Sequence, residues 1–371
     1  MRLIPGFGDY VPILLGAFLA AAILALALTP LARRLAVRVG SIDLPSQRRV
    51  NDSPVPRGGG LAVAAAFLAV AAAIVLLANR LGVPVASRLA EPEPREVIGL
   101  LAGGAVATLI GALDDAFQLR ARWQLLGQLA VAVFAVLAGI SVGVVNNPFG
   151  PGNIPLDGPF GTGFTIIWIV GMINSINFID GLDGLSTGIA LIAAATLGLI
   201  SMTTAINQPD VAILCLVLAG ALLGFLRWNF HPASIFIGTS GVMFVGYALA
   251  VLSILGSAKV AVALLVLGIP IIDTFWNIVR RLATGHSPFT PDRGHIHHRL
   301  LDLGLSHSRT VLLIYAICLA LAILSFVLSG TGQVYAFLGL AVGFGLALFV
   351  FTRGETRDAL EADSYDEANR G

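Results

Sequence analysis

The sequence predicts an all-α polytopic membrane protein with about eleven transmembrane helices, its N-terminus outside and its C-terminus in the cytoplasm. Hydrophobic residues make up 57% of the 371 residues, charged residues only 12%, and the mean hydropathy is +0.90. Such a chain has too few polar side chains to cover the surface of a soluble globule. The number of helices follows from the apolar segments, and their direction follows from the positions of Lys and Arg.

Most of the apolar segments are close to the roughly 20 residues that cross a bilayer as a helix. The first is too long for a signal peptide and is followed by Arg33 and Arg34, so we expect it to be retained. Cys215 and Cys318 fall inside apolar segments and are interpreted as packing residues. In chain order the segments are Val11 to Leu31, Gly60 to Leu77, Val97 to Leu113, Leu125 to Val142, Phe164 to Ile176, Leu185 to Ala205, Val211 to Leu226, Gly238 to Leu255, Val260 to Val279, Val311 to Leu328 and Val334 to Phe351.

Lys and Arg are distributed unevenly between the two sets of connecting loops. With the N-terminus outside, 17 of the 22 Lys and Arg residues fall on the cytoplasmic side, where positive residues are favoured. Residues 1–353 are predicted to form a single membrane domain, and the acidic residues 354–371 a disordered cytoplasmic tail. The remaining five lie outside: Arg2, Arg80, Arg88, Arg95 and Lys259.

Two adjacent carboxylates, Asp114 and Asp115, end the third apolar segment on the predicted cytoplasmic side. A carboxylate at this depth is unfavourable unless it has a partner or a function. One interpretation is that the pair is solvated or forms ion pairs with Arg120 and Arg122. Two carboxylates together, with further acids downstream, favour metal or proton chemistry.

Four oxygen-bearing side chains recur at every third position in the segment Asn174-Ser-Ile-Asn-Phe-Ile-Asp-Gly-Leu-Asp-Gly184. If the segment is helical, Asn174, Asn177, Asp180 and Asp183 share one slowly turning face. Oxygen-only ligands suit Mg²⁺ or Mn²⁺ rather than zinc. The alternative is a helix cap followed by an Asp-Gly turn, which needs only one of the four.

Two basic segments also lie on the predicted cytoplasmic side. Ile42 to Gly60 combines arginines, prolines and three glycines before a helix N-terminus, a setting that favours anions. The second, Ser287-Pro-Phe-Thr-Pro-Asp-Arg-Gly-His-Ile-His-His-Arg299, lies in the stretch from His286 to His307 that holds five of the six histidines. Guanidinium and imidazole donors match phosphate oxygens, so the second segment predicts phosphate binding at a bilayer surface. For the first segment, the preference for Lys and Arg in cytoplasmic loops is an alternative explanation.

Taken in order, these motifs resemble the polyprenyl-phosphate N-acetylhexosamine-1-phosphate transferases, glycosyltransferase family 4. The match runs from about Asp43 to Arg309 and is closest to the branch that uses N-acetylglucosamine (GlcNAc) and undecaprenyl phosphate. The motifs of the family fall on Asp114 and Asp115, on Asn174 to Gly184, on Asn229, Pro232, Ala233 and Phe236, and on His295, His297 and His298.

The resemblance implies transfer of a sugar 1-phosphate, with GlcNAc as the expected sugar, from a UDP-amino sugar to polyprenyl phosphate, releasing UMP. This is the first membrane step of cell-wall or surface polysaccharide synthesis. It implies Mg²⁺, with Mn²⁺ as a substitute, a bacterial plasma membrane with the active site facing the cytoplasm, no nucleic-acid partner, and it allows a homodimer. The implied catalytic residues are Asp114, Asp115, Asp180, Asp183, His295, His297 and His298; the substrate-binding residues are Arg48, Arg49, Arg57, Asn174, Asn229, Phe236, Arg293 and Arg299; the metal ligands are Asn177, Asp180, Asp183 and Thr239.

The sequence departs from the family pattern in Gly238-Thr-Ser-Gly-Val242, where Thr239 replaces the usual aspartate. A hydroxyl is a far poorer Mg²⁺ ligand than a carboxylate. Either the other acids hold the metal, or the chain is a weakened or inactive relative that binds lipid phosphate or acts as a scaffold. A transporter is a further alternative, but it would need broken helices at the membrane midplane.

Overall fold

The computed structural model describes residues 2–45, 53–78, 93–147, 149–150, 152–156, 158–255, 259–283, 285, 294–328 and 330–346. These residues form helices joined by two small antiparallel sheets. The helices are α1 (Phe7–Arg38), α2 (Gly60–Ala78), α3 (Pro94–Phe117), α4 (Ala121–Leu137), α5 (Pro159–Ile179), α6 (Leu185–Ser201), α7 (Pro209–Asn229), α8 (Gly238–Ile254), α9 (Lys259–Val266), α10 (Gly268–Ala283), α11 (Ile296–Asp302), α12 (His307–Val327) and α13 (Gly330–Leu346). The sheets pair β1 (Ile42–Asp43) with β2 (Val55–Pro56) and β3 (Val144–Asn146) with β4 (Asn153–Pro155).

Helix starts follow from local sequence. α3, α5 and α7 each have proline in the first turn, where its missing N–H leaves no hydrogen bond unmade. In α3 the capping box adds a bond from the backbone N–H of Glu93 to Oε2 of Glu96, 2.8 Å long. These starts let apolar sequences begin as helices at defined positions.

The centre of the bundle is α8, every side chain of which is buried. It packs against α2, α3 and α5, and it approaches α2 so closely that a Cβ on Gly60 would lie 2.0 Å from the Cα of Gly241. α7 is packed between α1 and α6. Small residues at helix crossings let backbones come together where lipid offers no hydrophobic driving force between helices.

Six helices in the described part of the chain are long and apolar enough to cross a membrane, and a seventh span results if the bent pair α9–α10 counts as one. Four shorter apolar helices, α4, α6, α8 and α13, complete the apolar set. The chain is therefore an all-α polytopic membrane protein. Eleven spans and the two terminal orientations stay predictions, and the acidic tail 354–371 lies outside the described residues.

Three predicted segments differ in detail from the helices. The ninth apolar segment is broken where α9 meets α10, with a bend of 78°. The fifth is longer than predicted, because α5 already begins at Pro159. α5 ends at Ile179, so only Asn174 and Asn177 of the four oxygen-bearing residues lie on the helix, and Asp180 and Asp183 lie in the turns that follow.

The β3–β4 hairpin connects α4 to α5 and marks one end of the bundle. α4 leads into it, and the start of α13 touches it, because a Cβ on Gly330 would lie 2.3 Å from Nδ2 of Asn146. α4 and α12 thus both run from the polar motifs to this end. The motifs and the hairpin lie at opposite ends of the helices.

Candidate active site

The polar motifs of the sequence converge at one end of the helices. Asp115 at the end of α3 bonds to the start of α8, Arg57 lies beside Asp115, and Gly181 after α5 packs against His297 of α11. The motifs are far apart in sequence, so the helix packing alone brings them together. The result is a concentration of acids, imidazoles and arginines at one end of the bundle.

Asp115 caps the N-terminus of α8. Its Oδ1 accepts a hydrogen bond from the N–H of Thr239 (2.8 Å), and its Oδ2 accepts from the N–H (3.0 Å) and Oγ (2.7 Å) of Ser240. Gly238 has φ 71°, and a Cβ there would lie 2.6 Å from Oδ2 of Asp115, so a side chain would displace the carboxylate. The carboxylate is therefore fixed in orientation, and Thr239 is buried beside it.

Asp114 points into a different set of contacts. Its Oδ1 accepts from the N–H of Leu119 (2.9 Å) and from Nε2 of Gln124 (2.8 Å). These bonds tie the end of α3 to the start of α4. The two adjacent acids thus serve different elements, since Asp115 is bound to α8 and Asp114 to α4.

Arg57 supplies a cation among the described acids. Its Nε lies 3.9 Å from Oδ1 of Asp115, and its Nη1 lies 3.6 Å from Oδ1 of Asp43. A parallel bridge to Phe236 and a bond from its N–H to the carbonyl of Ser41 (2.9 Å) fix its backbone on both sides. Because these contacts fix the backbone of Arg57, they limit where its guanidinium can lie.

Burial and several neighbouring groups shift the pKa of Asp180. Burial raises its pKa to about 6, while the Ser186 hydroxyl (Oγ to Oδ1, 2.6 Å) and Arg57 act to lower the pKa, and the charges of Asp115 and Asp183 raise it. Several carboxylates thus share a confined space with one nearby arginine in the described chain. A divalent cation would relieve this repulsion, so the donor set fits an oxygen-preferring ion such as Mg²⁺.

Asp183 faces histidines. Its Oδ2 lies 2.7 Å from Nδ1 of His231 and accepts a hydrogen bond from the N–H of Ala233 (3.0 Å). The ring of His307 stacks on that of His231 with centroids 4.2 Å apart. Asp183 therefore joins the turn after α5 to the segment before α8 and to the start of α12.

His295 is positioned by a buried acid that the sequence motifs did not include. It is the N-cap residue of α11, and its Nδ1 lies 2.7 Å from Oδ2 of Asp273, a residue of α10 that is 1% exposed. The other oxygen of Asp273 accepts a bond from the N–H of Ile296 (3.0 Å). One carboxylate thus orients the imidazole and caps the helix that follows.

His297 is the buried member of the histidine motif. Burial first, and then the neighbouring His298, His295 and His307, hold its pKa well below the usual value, so the ring is neutral at pH 7. Its Nε2 packs on the turn after α5, where a Cβ on Gly181 would lie only 2.1 Å away. The ring of His298 is tilted against it, with centroids 4.4 Å apart.

The residues predicted to bind the nucleotide lie next to one another, with different contacts. Oδ1 of Asn229 accepts from Oγ1 of Thr187 (2.6 Å), and its Nδ2 donates to the carbonyl of Ile235 (3.1 Å). Phe236 is half-buried, and its N–H donates to the carbonyl of Pro56 (2.9 Å). Asn229 therefore shapes the segment 229–237, and the backbone of Phe236 joins that segment to Pro56.

A groove of about 690 Å³ opens between α4, α5 and α10. One part is apolar, and the other carries amides, an imidazole and a guanidinium. Nδ2 of Asn174 donates to Oε1 of Gln128 (2.7 Å) within it. The apolar side chains are Leu125, Leu129, Ile166, Ile167, Val170, Phe178 and Ile278; the polar ones are Gln124, Gln128, Asn174, Asn177, Thr274, Arg281 and His295.

The remaining predicted arginines are only partly described. Arg299 is 9% exposed, and its Nε donates to the carbonyl of Gly294 (3.2 Å), so it supports the start of α11. Arg48, Arg49 and Arg293 lie outside the described residues.

Sequence reasoning missed Asp273 and His231. Asp273 stands alone in an apolar segment, and an acid within a predicted span is by itself a signal of function or pairing. His231, the histidine outside the cluster in sequence, carried no such signal, because only the fold brings it to Asp183.

Comparison with known proteins places the chain. The sequence profile of glycosyl transferase family 4 matches residues 97–257. The chain is 36% identical over 318 residues to a probable undecaprenyl-phosphate N-acetylglucosaminyl 1-phosphate transferase of Bacillus subtilis (strain 168), covering 84% of each chain. It is 36% identical over 321 residues to the decaprenyl-phosphate N-acetylglucosaminephosphotransferase of Mycolicibacterium smegmatis, covering 80% of this chain and 77% of the other.

A more distant relative shows the same pattern. The undecaprenyl-phosphate alpha-N-acetylglucosaminyl 1-phosphate transferase of Salmonella typhi is 29% identical over 307 residues, covering 80% of this chain and 77% of that protein. The matches extend over most of the chain. The transporter alternative is therefore wrong, although α9 and α10 do form a broken helix. The chain belongs to glycosyl transferase family 4, among the polyprenyl-phosphate N-acetylhexosamine-1-phosphate transferases.

Proposed function

We propose that the protein transfers GlcNAc 1-phosphate from UDP-GlcNAc to undecaprenyl phosphate or a similar polyprenyl phosphate and releases UMP. The observation that carries this proposal is the meeting of an acid cluster, an imidazole cluster and a partly apolar groove at one end of the bundle. The three relatives named above act on undecaprenyl or decaprenyl phosphate according to their names. Neither a scaffold nor a simple lipid-phosphate binder would need this assembly.

The groove between α4, α5 and α10 suits the lipid acceptor. Its apolar side chains would hold the first isoprene units, and its polar end would hold the phosphate near Arg281 and His295. Asp114 touches this end through Gln124, so it would orient the acceptor phosphate or accept its proton. Asp115, held by three hydrogen bonds from α8, would fix the geometry between the acceptor and Arg57.

The donor would lie on the opposite side of the acids. We assign the uridine to Asn229 and Phe236, with the ring of Phe236 stacked on uracil, and the sugar diphosphate to His295, His297 and His298. Two anions must approach each other, and five arginines predicted for the site would offset their charges: Arg48, Arg49, Arg57, Arg293 and Arg299. Asn174 would line the acceptor side.

The reaction exchanges one phosphorus–oxygen bond for another. An oxygen of the acceptor phosphate attacks the β-phosphorus of the donor, and the bond from that phosphorus to the bridging oxygen breaks, leaving its electron pair on UMP. Mg²⁺, or Mn²⁺ in its place, would neutralise the diphosphate charge. Asp180 and Asp183, with Asn177 and Thr239, are the residues we assign to this ion, since the acid cluster around Asp180 lacks a matching set of described cations.

The cellular setting follows from the substrates. Nucleotide sugars are made in the cytoplasm, so we propose a bacterial plasma membrane with the site on its cytoplasmic side, as the Lys and Arg distribution predicts. The product would be a lipid diphosphate sugar, the first membrane intermediate of a cell-wall or surface polysaccharide. Formation of a homodimer stays a prediction.

The test is direct assay of UMP release by purified protein in detergent, with UDP-GlcNAc and undecaprenyl phosphate. We expect turnover that needs both substrates and Mg²⁺, is restored by Mn²⁺ after chelation, and is lost in Asp180→Asn. Undiminished turnover in excess EDTA would contradict the metal assignment. Absence of UMP, with lipid phosphate still bound, would instead support the inactive binder.

A further inference from the structure

Asp183, His231 and His307 form a compact group of potential metal ligands. Each presents one ligand atom, and these atoms lie within 4.8 Å of one another. The group is built from three separate elements: the turn after α5, the segment between α7 and α8, and the first residue of α12. Two of its three members, His231 and His307, have no assigned role in the proposed transfer reaction.

We propose that these three side chains form a binding site for a borderline divalent cation of the Zn²⁺ type, next to the oxygen-donor site around Asp180. Oδ2 of Asp183 faces the two imidazoles, which leaves Oδ1 for the neighbouring Mg²⁺. Two imidazole nitrogens and one carboxylate oxygen are a donor set that Zn²⁺ and Co²⁺ favour, whereas Mg²⁺ prefers oxygen alone. Two histidines and one acid are also a known three-ligand zinc set that leaves a fourth position open.

The distances suit such an ion after small side-chain movements. Ligand bonds of about 2.0–2.2 Å in a tetrahedral site place the ligand atoms roughly 3.3 Å apart. Here Nδ1 of His231 and Oδ2 of Asp183 are 2.7 Å apart, and no pair exceeds 4.8 Å. The pair at 2.7 Å must therefore separate slightly to hold an ion, and the other two pairs start within 4.8 Å.

The surroundings hold one ligand firmly and leave another free to adjust. The N–H of Ala233 bonds to Oδ2 of Asp183 and fixes the carboxylate. The side chain of His231 is 41% exposed, so it can rotate and leaves room for water or a phosphate oxygen at the fourth position. Nε2 of His307 is buried and makes no hydrogen bond within the described part of the chain.

The alternative without a metal is a hydrogen bond between His231 and Asp183, with the ring of His307 stacked on that of His231. That arrangement explains two of the side chains but gives the buried nitrogen of His307 no partner among the described residues. The two interpretations differ in whether an ion binds and whether both imidazoles contact it. Since binding is measured without substrate, the proposal does not depend on the transferase activity.

The experiment is titration of the full-length protein in detergent with Co²⁺, followed by its visible ligand-field absorption. The protein for this titration is prepared without a polyhistidine tag, because a tag would itself bind Co²⁺. We expect one Co²⁺ per chain, displaced by Zn²⁺ and not by a large excess of Mg²⁺. X-ray absorption of the bound wild-type protein should show two imidazole ligands. An oxygen-only coordination shell, or displacement by Mg²⁺, would overturn the proposal.

Two variants give a matched comparison. His231→Phe keeps an aromatic ring to stack on His307 and removes the nitrogen, so we expect Co²⁺ affinity to fall about tenfold or more. Asp210→Asn removes a carboxylate at the opposite end of α7 from His231 and should leave the affinity unchanged. Equal affinity of His231→Phe and the wild type would refute the site; Asp183→Asn repeats the test from the carboxylate side, and melting curves verify that each variant is folded.

Discussion

Among single residues, Asp180 is a buried acid whose ionisation costs the fold stability. Its pKa is raised from 3.8 to about 6, so the folded protein binds its proton more tightly than the unfolded chain does. The metal-free protein therefore loses stability as the pH rises from about 4 to about 6 and gains none above it. The same carboxylate is the one we assign to the metal, so function and stability oppose each other here.

Asp180→Asn should reveal this opposition. We expect the variant, free of metal at pH 7.5, to be more stable than the wild type by on the order of 1–3 kcal/mol, because the amide needs no charge solvation. It should also lack UMP release. Mg²⁺ should raise the melting temperature of the wild type and not that of the variant. A variant that is less stable than the wild type across this pH range would show that the carboxylate is not under repulsion.

Thr239 stands where the resemblance to the family leads us to expect an aspartate. We expect Thr239→Asp to increase Mg²⁺ affinity, because it adds a carboxylate at the N-terminus of α8, where negative charge is favoured. Thr239→Asn is the control, because asparagine has the same shape as aspartate and carries no charge. The measurement is the Mg²⁺ dependence of UMP release. Loss of turnover in the Asp variant alone would mean that the site is built around the hydroxyl.

At the scale of elements, the docking of α11 on the turn after α5 decides where the histidines lie. Asp273 caps α11 from α10, and His297 packs against Gly181. Sequence patterns predicted that this turn and the histidines belong to one site. They did not predict the contact of His297 with Gly181, because a glycine that follows aspartate is typical of a turn and indicates nothing more.

Gly181→Ala tests this docking. The added Cβ would lie 2.1 Å from Nε2 of His297, so the buried ring of His297, or α11 with it, must move. We expect kcat to fall by at least about tenfold, since small displacements of positioned groups are costly to catalysis. Gly163→Ala on α5, where a Cβ meets nothing within 4 Å, should behave like the wild type. Equal activity of both variants would show that the contact is unimportant.

At the scale of the whole molecule, composition and apolar periodicity predicted the fold class and the neighbourhood of the site. Each of the eleven apolar segments overlaps a helix in the described part of the chain, and the ninth overlaps two, because burial in lipid demands that backbone hydrogen bonds be made within the segment. The break at α9–α10 was not predictable, since apolar residues continue on both sides of it. The meeting of Asp183 with His231 depends on tertiary packing and leaves no periodic pattern in the sequence.

Orientation in the membrane can be tested with single cysteines. Leu303, which follows α11, is 62% exposed at the site end, and Phe149 in the β3–β4 hairpin is 92% exposed at the other. Both native cysteines are buried and supply a silent background. With an impermeant thiol reagent on intact cells, we expect Phe149→Cys to be labelled and Leu303→Cys to react only after the membrane is opened. The reverse pattern would place the site outside.

The 78° bend between α9 and α10 has a consequence for kinetics. It places α10 beside α4 and α5 as one wall of a groove whose apolar part suits an isoprenoid chain delivered sideways from the bilayer. For an acceptor that arrives this way, the relevant concentration is its mole fraction in the lipid phase. If inert lipid is added while the bulk concentration of acceptor is kept constant, the mole fraction of acceptor in the lipid falls, and we expect the reaction to slow. The dependence of the rate on the water-soluble donor should still follow the donor's molar concentration.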